Sequence, residues 1–145
     1  MAIRISNMNQ LQKALQPVMK NMVDKLADRV YETLNYYLND YYDGWTPESY
    51  RRTEAFLRSA VKVDAYPDKG GVRACVYIDY DSMDDYVDAT GYQVATFENE
   101  GTHGGLSVNH EPHVWDDTMD ATINNGSLVE LAVKYLRSQG IPVRY

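Results

Sequence analysis

Residues 56–80, FLRSAVKVDAYPDKGGVRACVYIDY, decide how the rest of the chain must fold. Apolar and polar side chains alternate up to Ala65 and again from Val72, with the period of two that is typical of half-buried β-strands. Between them, residues 66–71 supply turn residues, including two glycines that can adopt positive φ. The stretch therefore predicts an antiparallel hairpin with one apolar face. In the first strand that face comprises Leu57, Ser59, Val61, Val63 and Ala65, and in the second strand Val72, Ala74, Val76 and Ile78.

The segment before the hairpin has the pattern of a covering helix, which the hairpin needs because it is marginally stable alone in water. Apolar residues recur at steps of three and four from Leu11 to Leu38, which predicts one stripe along a long helix. Pro17 interrupts this stripe and disfavours the α conformation at Gln16. We therefore predict a short lead-in helix ending near Gln16, then a helix from Pro17 to about Tyr42. At 1.5 Å per residue the second helix is about 39 Å long, and the surplus over a small sheet predicts contact with another subunit.

The remainder of the chain predicts a third strand and closing helices. Residues 92–98 predict this third strand, although apolar and polar residues alternate less regularly there. A helix begins at Val114 or Trp115, with Trp115, Met119 and Ile123 at helical spacing. Ser127 caps a last helix that Gly140 ends.

These elements predict an α+β fold in a single domain, 1–145, because a chain of 145 residues suits one core. We expect a long N-terminal helix packed on a three- to four-stranded antiparallel sheet, with a C-terminal helix on the same side. Residues 1–44 form the helical arm and long helix, 45–105 the sheet with short helices, and 106–145 the loop and C-terminal helices.

Composition narrows the classes of function. The chain has no run of about twenty apolar residues, so no membrane span is predicted. The N-terminus lacks the apolar centre of a signal peptide. The single cysteine, Cys75, fits a reducing cytoplasm. The net charge is −7, and the stretch between Ala74 and Val133 holds twelve acids without one Lys or Arg. Because such a stretch repels phosphates, we expect no sequence-specific nucleic-acid binding.

Two stretches contain residues of the types that bind metals. Residues 79–88 hold five aspartates, but Met83 occupies the third ligand position of an EF-hand pattern and no glycine follows Asp84. His110 and His113 have a possible ligand spacing, and His103 lies nearby. We expect no metal, no cofactor and no catalytic residue. The alternative hypothesis is a small metal-dependent hydrolase or nuclease that uses His103, His110 and His113.

Aromatic and loop residues are candidates for contact with other subunits. Aromatic residues cluster at the end of the long helix, between Tyr36 and Tyr50. This cluster is consistent either with a packed corner between helix and sheet or with an interface, where Tyr and Trp are enriched. The loop Asn99–Pro112 is polar and rich in glycine, so it would gain order from a partner. The candidate interface residues are Tyr41, Tyr42, Trp45, Tyr50, Asn99, Glu100, Gly101, Thr102, His103, His110, His113 and Trp115.

Three stretches, residues 50–59, 95–102 and 113–121, together resemble the neck proteins of tailed bacteriophages, which are the head–tail joining and tail-completion proteins. Tyr50-Arg51-Arg52-Thr53 followed by Leu57 and Ser59 looks like the family's start of the first strand. Residues 95–102 are similar to its strand-edge segment, with Asn-Glu-Gly-Thr where relatives commonly have Glu-Phe-Gly-Thr. Residues 113–121 resemble its helix after a variable loop, with His-Val-Trp-Asp-Asp replacing Pro-Phe-Leu-Arg-Pro.

The resemblance implies a structural virion protein and no enzyme. It implies a cyclic homo-oligomeric ring at the head–tail interface, made in the host bacterial cytoplasm, with other connector and tail proteins as partners. DNA would pass through the channel of this ring. The stretch without Lys or Arg would either line the channel, where its acids keep DNA from sticking, or meet a basic partner ring. Two further hypotheses are a tail-terminator ring protein and a toxin–antitoxin-type binding module.

Overall fold

A computed structural model describes residues 4–43, 57–82 and 113–144. Helices and a hairpin make up this part of the chain, which confirms the α+β class. The elements in chain order are α1 (Met8–Asp43), β1 (Ala60–Asp68), β2 (Gly71–Ile78), a 3₁₀ turn (Tyr80–Ser82), α2 (Val114–Met119, extended by one π turn over Asp120–Asn124) and α3 (Ser127–Ser138).

Helix α1 is continuous, so the predicted separate lead-in helix that ends near Gln16 is wrong. The helix runs through Pro17, although an interior proline costs about 3 kcal/mol. Leu15 and Val18, on either side of it, are half-buried. Because they stay in one stripe only if the helix continues, their packing outweighs the proline's cost. The side chain of Gln12 also donates a hydrogen bond to the carbonyl of Gly70, which holds the N-terminal part of α1 against the hairpin.

The hairpin turn is tighter than predicted. It consists of Lys69 and Gly70, with φ of 48° and 79°, whereas the sequence predicted a turn over residues 66–71. Positive φ at both positions matches a two-residue turn whose twist agrees with that of the strands. Asp68 therefore pairs directly with Gly71.

The apolar face predicted for the first strand is wrong at its centre. Ala60, opposite Ile78, packs on the core, and Lys62, opposite Val76, pairs with Asp28 of α1. Val63 is 38% exposed on the other face. The prediction for the second strand is confirmed at Val76 and Ile78, which face α1.

A register shift between Val63 and Tyr66 explains why the side chain of Ala65 faces the predicted side of β1 again. An extra residue in one strand reverses the faces that follow it. Beyond the shift Ala65 is 4% exposed and faces α1, and its N–H donates to Oδ1 of Asp24 at 2.6 Å. The buried backbone donor is thus satisfied by the helix instead of by the other strand.

Within the described ranges the sheet has two strands, not the predicted three to four. The third strand predicted over residues 92–98 lies outside them.

The core lies between the C-terminal half of α1, the open end of the hairpin and α2. Leu34, Leu38 and Val114 are almost fully buried and contact one another. The C-terminal helices pack on α1, and Nζ of Lys25 lies 5.6 Å from the centre of the Tyr135 ring.

The predicted cap of the last helix is wrong by one residue. Gly126 occupies the N-cap position with φ of 77°, and Ser127 is the first helical residue. The hydroxyl of Ser127 donates backwards, to the carbonyl of Thr122 at 2.9 Å. Glycine suits this position because it adopts positive φ without strain.

Candidate interaction groove

An apolar groove of about 250 Å³ opens between α1, β2 and the two C-terminal helices. Its floor is a stretch of α1, and its walls are the hairpin on one side and α2 with the start of α3 on the other. All of its lining residues are apolar. They are Val23, Leu26, Ala27, Val30, Ala74, Val76, Trp115, Met119, Ile123 and Leu128.

One wall of the groove follows from a spacing of four along α2. Trp115, Met119 and Ile123 lie on one face because residues four apart are neighbours on a helix. The sequence showed this row, since the three residues stand at helical spacing.

The adjacent row of side chains on α2 faces the core, so the row of Trp115, Met119 and Ile123 faces the groove. Val114, Thr118 and Thr122 are at most 2% exposed. The Thr118 hydroxyl donates to the carbonyl of Val114 at 2.7 Å, and that of Thr122 donates to the carbonyl of Thr118 at 2.6 Å. Because both buried hydroxyls are satisfied within the helix, the polar residues add no burial penalty.

Four of the twelve candidate interface residues lie within the described ranges. Trp115 is half-buried, packs on the core cluster and lines the groove. His113 directly precedes α2, and its carbonyl accepts the N–H of Asp117 at 2.7 Å. Tyr41 and Tyr42 lie in the last turns of α1. The remaining candidates, Trp45, Tyr50, Asn99, Glu100, Gly101, Thr102, His103 and His110, lie outside the described residues.

The groove itself had no signature in the sequence. Val23 and Leu26 were recognised only as part of the helix stripe, and Ala27, which is 8% exposed, was not singled out. The signals in the sequence were the apolar row on α2 and a helix longer than one small sheet needs, and neither places a groove.

The described residues bear on two other kinds of site. Within 4–43, 57–82 and 113–144 no group of three or more His, Cys, Asp or Glu side chains could hold a metal ion. None of the helices described is both long and apolar enough to cross a membrane.

Charge is distributed unevenly along the molecule. Residues 4–20 carry three bases and no acid, whereas residues 114–124 carry three acids and no base. Helix α2 packs on the C-terminal half of α1, where Tyr37 lies against the cluster with Val114, so its acids lie at that end. Burial raises the pKa of Tyr37, and Asp117 raises it further, with smaller effects from Tyr36, Asp40 and Asp120. The two ends of the molecule therefore differ in sign.

Alkaline pH is expected to destabilise the fold from about pH 10 upward. The pKa of Tyr37 is raised from 10.0 by burial, and the pKa of Lys62 is raised from 10.5, chiefly by its hydrogen bond to Asp28. Both groups hold their protons more tightly in the folded state, so their stabilisation is full below the unfolded pKa values and is lost as pH rises through the folded ones. Urea unfolding across this pH range measures the loss.

The matched variant for this prediction is the double substitution Tyr37→Phe with Lys62→Arg, which keeps the ring and the positive charge. It should flatten the fall in stability, whereas Tyr77→Phe, at an exposed ring on the hairpin, should leave it unchanged. An equally steep fall in the double variant would contradict the assignment.

A family model described as YomN matches residues 7–138. The match begins just before α1 and ends with α3, so it includes every described element. No curated protein and no solved structure matches the chain.

Proposed function

The chain belongs to the YomN family, whose phage-derived, Bacillus prophage type indicates a phage origin, and on that premise we propose that it is a structural protein of the phage particle. It forms a ring in the neck, joins head to tail and surrounds the channel through which DNA leaves the head. Its partners are further copies of itself and the adjoining connector and tail proteins. It is assembled from the host cytoplasm into the virion and performs no catalysis.

The open apolar groove carries this proposal. Ten apolar side chains surround about 250 Å³ of space that opens to solvent. A concave site with a wholly apolar lining can take up apolar side chains of a partner. The volume lies below the roughly 300–1,000 Å³ of typical small-molecule pockets, so it suits side chains of another protein better than a substrate.

The distribution of acids supports a position beside DNA. Asp116, Asp117 and Asp120 follow one another on α2 within the stretch that has no Lys or Arg. A ring that turns such a surface to its channel repels phosphates, and DNA then passes without binding.

The experiment is to disrupt the gene in a phage or inducible prophage that carries it, and to image the particles by electron microscopy. We expect filled heads separated from tails and a loss of infectious particles, both restored by the intact gene in trans. A tagged copy should be present in purified virions and lie at the head–tail junction.

A finer variant tests the predicted contact loop. Shortening residues 101–109 to a minimal linker should also leave heads and tails unjoined, while the protein remains folded. Normal joined particles from the gene disruption would refute the proposed function, whereas normal particles from the shortened loop alone would refute only the role of the loop.

A further inference from the structure

The N-terminal end of α1 carries apolar side chains that face solvent. Ile5 is 42% exposed and Met8 is 74% exposed. Arg4 and Lys13 accompany them without any acid between residues 4 and 20. This end of the molecule is therefore both apolar and basic.

The groove has complementary properties. Its lining is apolar, and α2, which forms one wall, carries Asp116, Asp117 and Asp120 and no base. Methionine is flexible and fills irregular apolar spaces well. Bases beside the docking residues and acids beside the groove attract each other and set the orientation of the contact.

The end cannot reach the groove of its own chain. Met8 and Val23 belong to one continuous helix, and fifteen residues at 1.5 Å each place them about 22 Å apart. Gln12 also bonds to the hairpin turn at Gly70, which holds this end of α1 at the far end of the hairpin. A docked N-terminal end must therefore come from a second copy.

We propose that the N-terminal end of α1 in one copy, through Ile5 and Met8, docks into the apolar groove of the next copy. The contact rests on the proposed ring and deepens it by naming the two surfaces that join neighbours. They are different patches of the molecule, so the contact is head-to-tail. Contacts of that type generate rings when the rotation closes, whereas a two-fold dimer would need one patch that pairs with itself.

The test traps the contact as a disulfide between two variants of the full chain, both with Cys75→Ser to remove the native thiol. Met8→Cys is mixed with Ile123→Cys, which lies in the groove lining and is 46% exposed. The control replaces the second variant with Val129→Cys, which is 52% exposed on α3 and is not part of the lining. Oxidation is carried out at the highest soluble concentration and in purified particles.

The groove pair should give about tenfold more covalent dimer than the control pair, because docking places the two thiols at a high effective concentration. The yield should fall between about 0.1 M and 1 M salt, where the Debye length drops from about 10 Å to about 3 Å. A yield equal to that of the control, in solution and in particles, overturns the proposal.

Two further outcomes separate this contact from its rivals. Joined particles that contain the protein but give no Met8–Ile123 dimer would refute the contact and leave the neck function standing. A Met8–Ile123 dimer of a protein that is absent from virions would support the contact and refute the neck function.

Discussion

Replacing Leu34 with alanine is expected to lower the free energy of unfolding by about 2–5 kcal/mol. Leu34 is fully buried and contacts Leu38 and Val114, with Ala60 and Ile78 packed against the cluster. The substitution removes apolar contacts and leaves a cavity where α1, the hairpin and α2 meet. Because a domain of this kind has only about 5–15 kcal/mol of stability in total, the loss is large.

Urea unfolding followed by circular dichroism measures this effect. The midpoint should fall while the slope stays unchanged, since a lower midpoint at constant slope reports lost stability. Val129→Ala, at a side chain that is 52% exposed, is the control and should change the free energy by no more than about 0.5 kcal/mol. A Leu34→Ala effect below about 1 kcal/mol would show that the cluster is not the core.

The parts of the fold that the sequence predicted well depend on local patterns. The alternation from Val72 to Ile78 correctly assigned the second strand and its inner face. The stripe from Leu11 to Leu38 correctly predicted a long helix, which ends one residue beyond the predicted Tyr42. Such patterns are readable because each residue's burial depends on the period of its own element.

The parts that the sequence missed depend on contacts between elements. The alternation in β1 looked uniform, yet before the register shift Lys62 faces inward and pairs with Asp28, and only Ala65 beyond Val63 again faces inward as predicted. No local pattern reveals that a helix carboxylate will meet a strand lysine. Pro17 stays within α1 for the same reason, because packing on both sides of it outweighs its local cost.

The groove depends both on local sequence patterns and on contacts between elements. Its row on α2 was visible in the spacing of Trp115 and Met119, but the opposite wall at Ala74 and Val76 comes from a strand forty residues away along the chain. A sequence gives the apolar face of each element and does not say where three such faces leave a gap. The predicted interface residue Trp115 consequently has two roles, since it packs on the core cluster and also lines the groove.

Replacing Trp115 with alanine separates these two roles. The indole packs on the cluster of Leu34, Leu38 and Val114 while remaining half-buried. The expected loss of unfolding free energy in the isolated protein is therefore about 3 kcal/mol, at the lower end of the range for truncating a buried tryptophan. Trp115→Phe should retain most of the stability, because it keeps an aromatic ring against the same neighbours.

The matched control is Ile123→Ala, which shortens a groove side chain that is 46% exposed and lies outside the core cluster. It should cost less than about 1 kcal/mol in the isolated protein and still weaken the association of copies, measured without a disulfide by sedimentation velocity. Circular dichroism is the suitable probe, since the substitution at Trp115 removes a fluorophore. If Trp115→Ala left the unfolding midpoint unchanged and reduced only the association of copies, Trp115 would be an interface anchor alone, and the core would end at Val114.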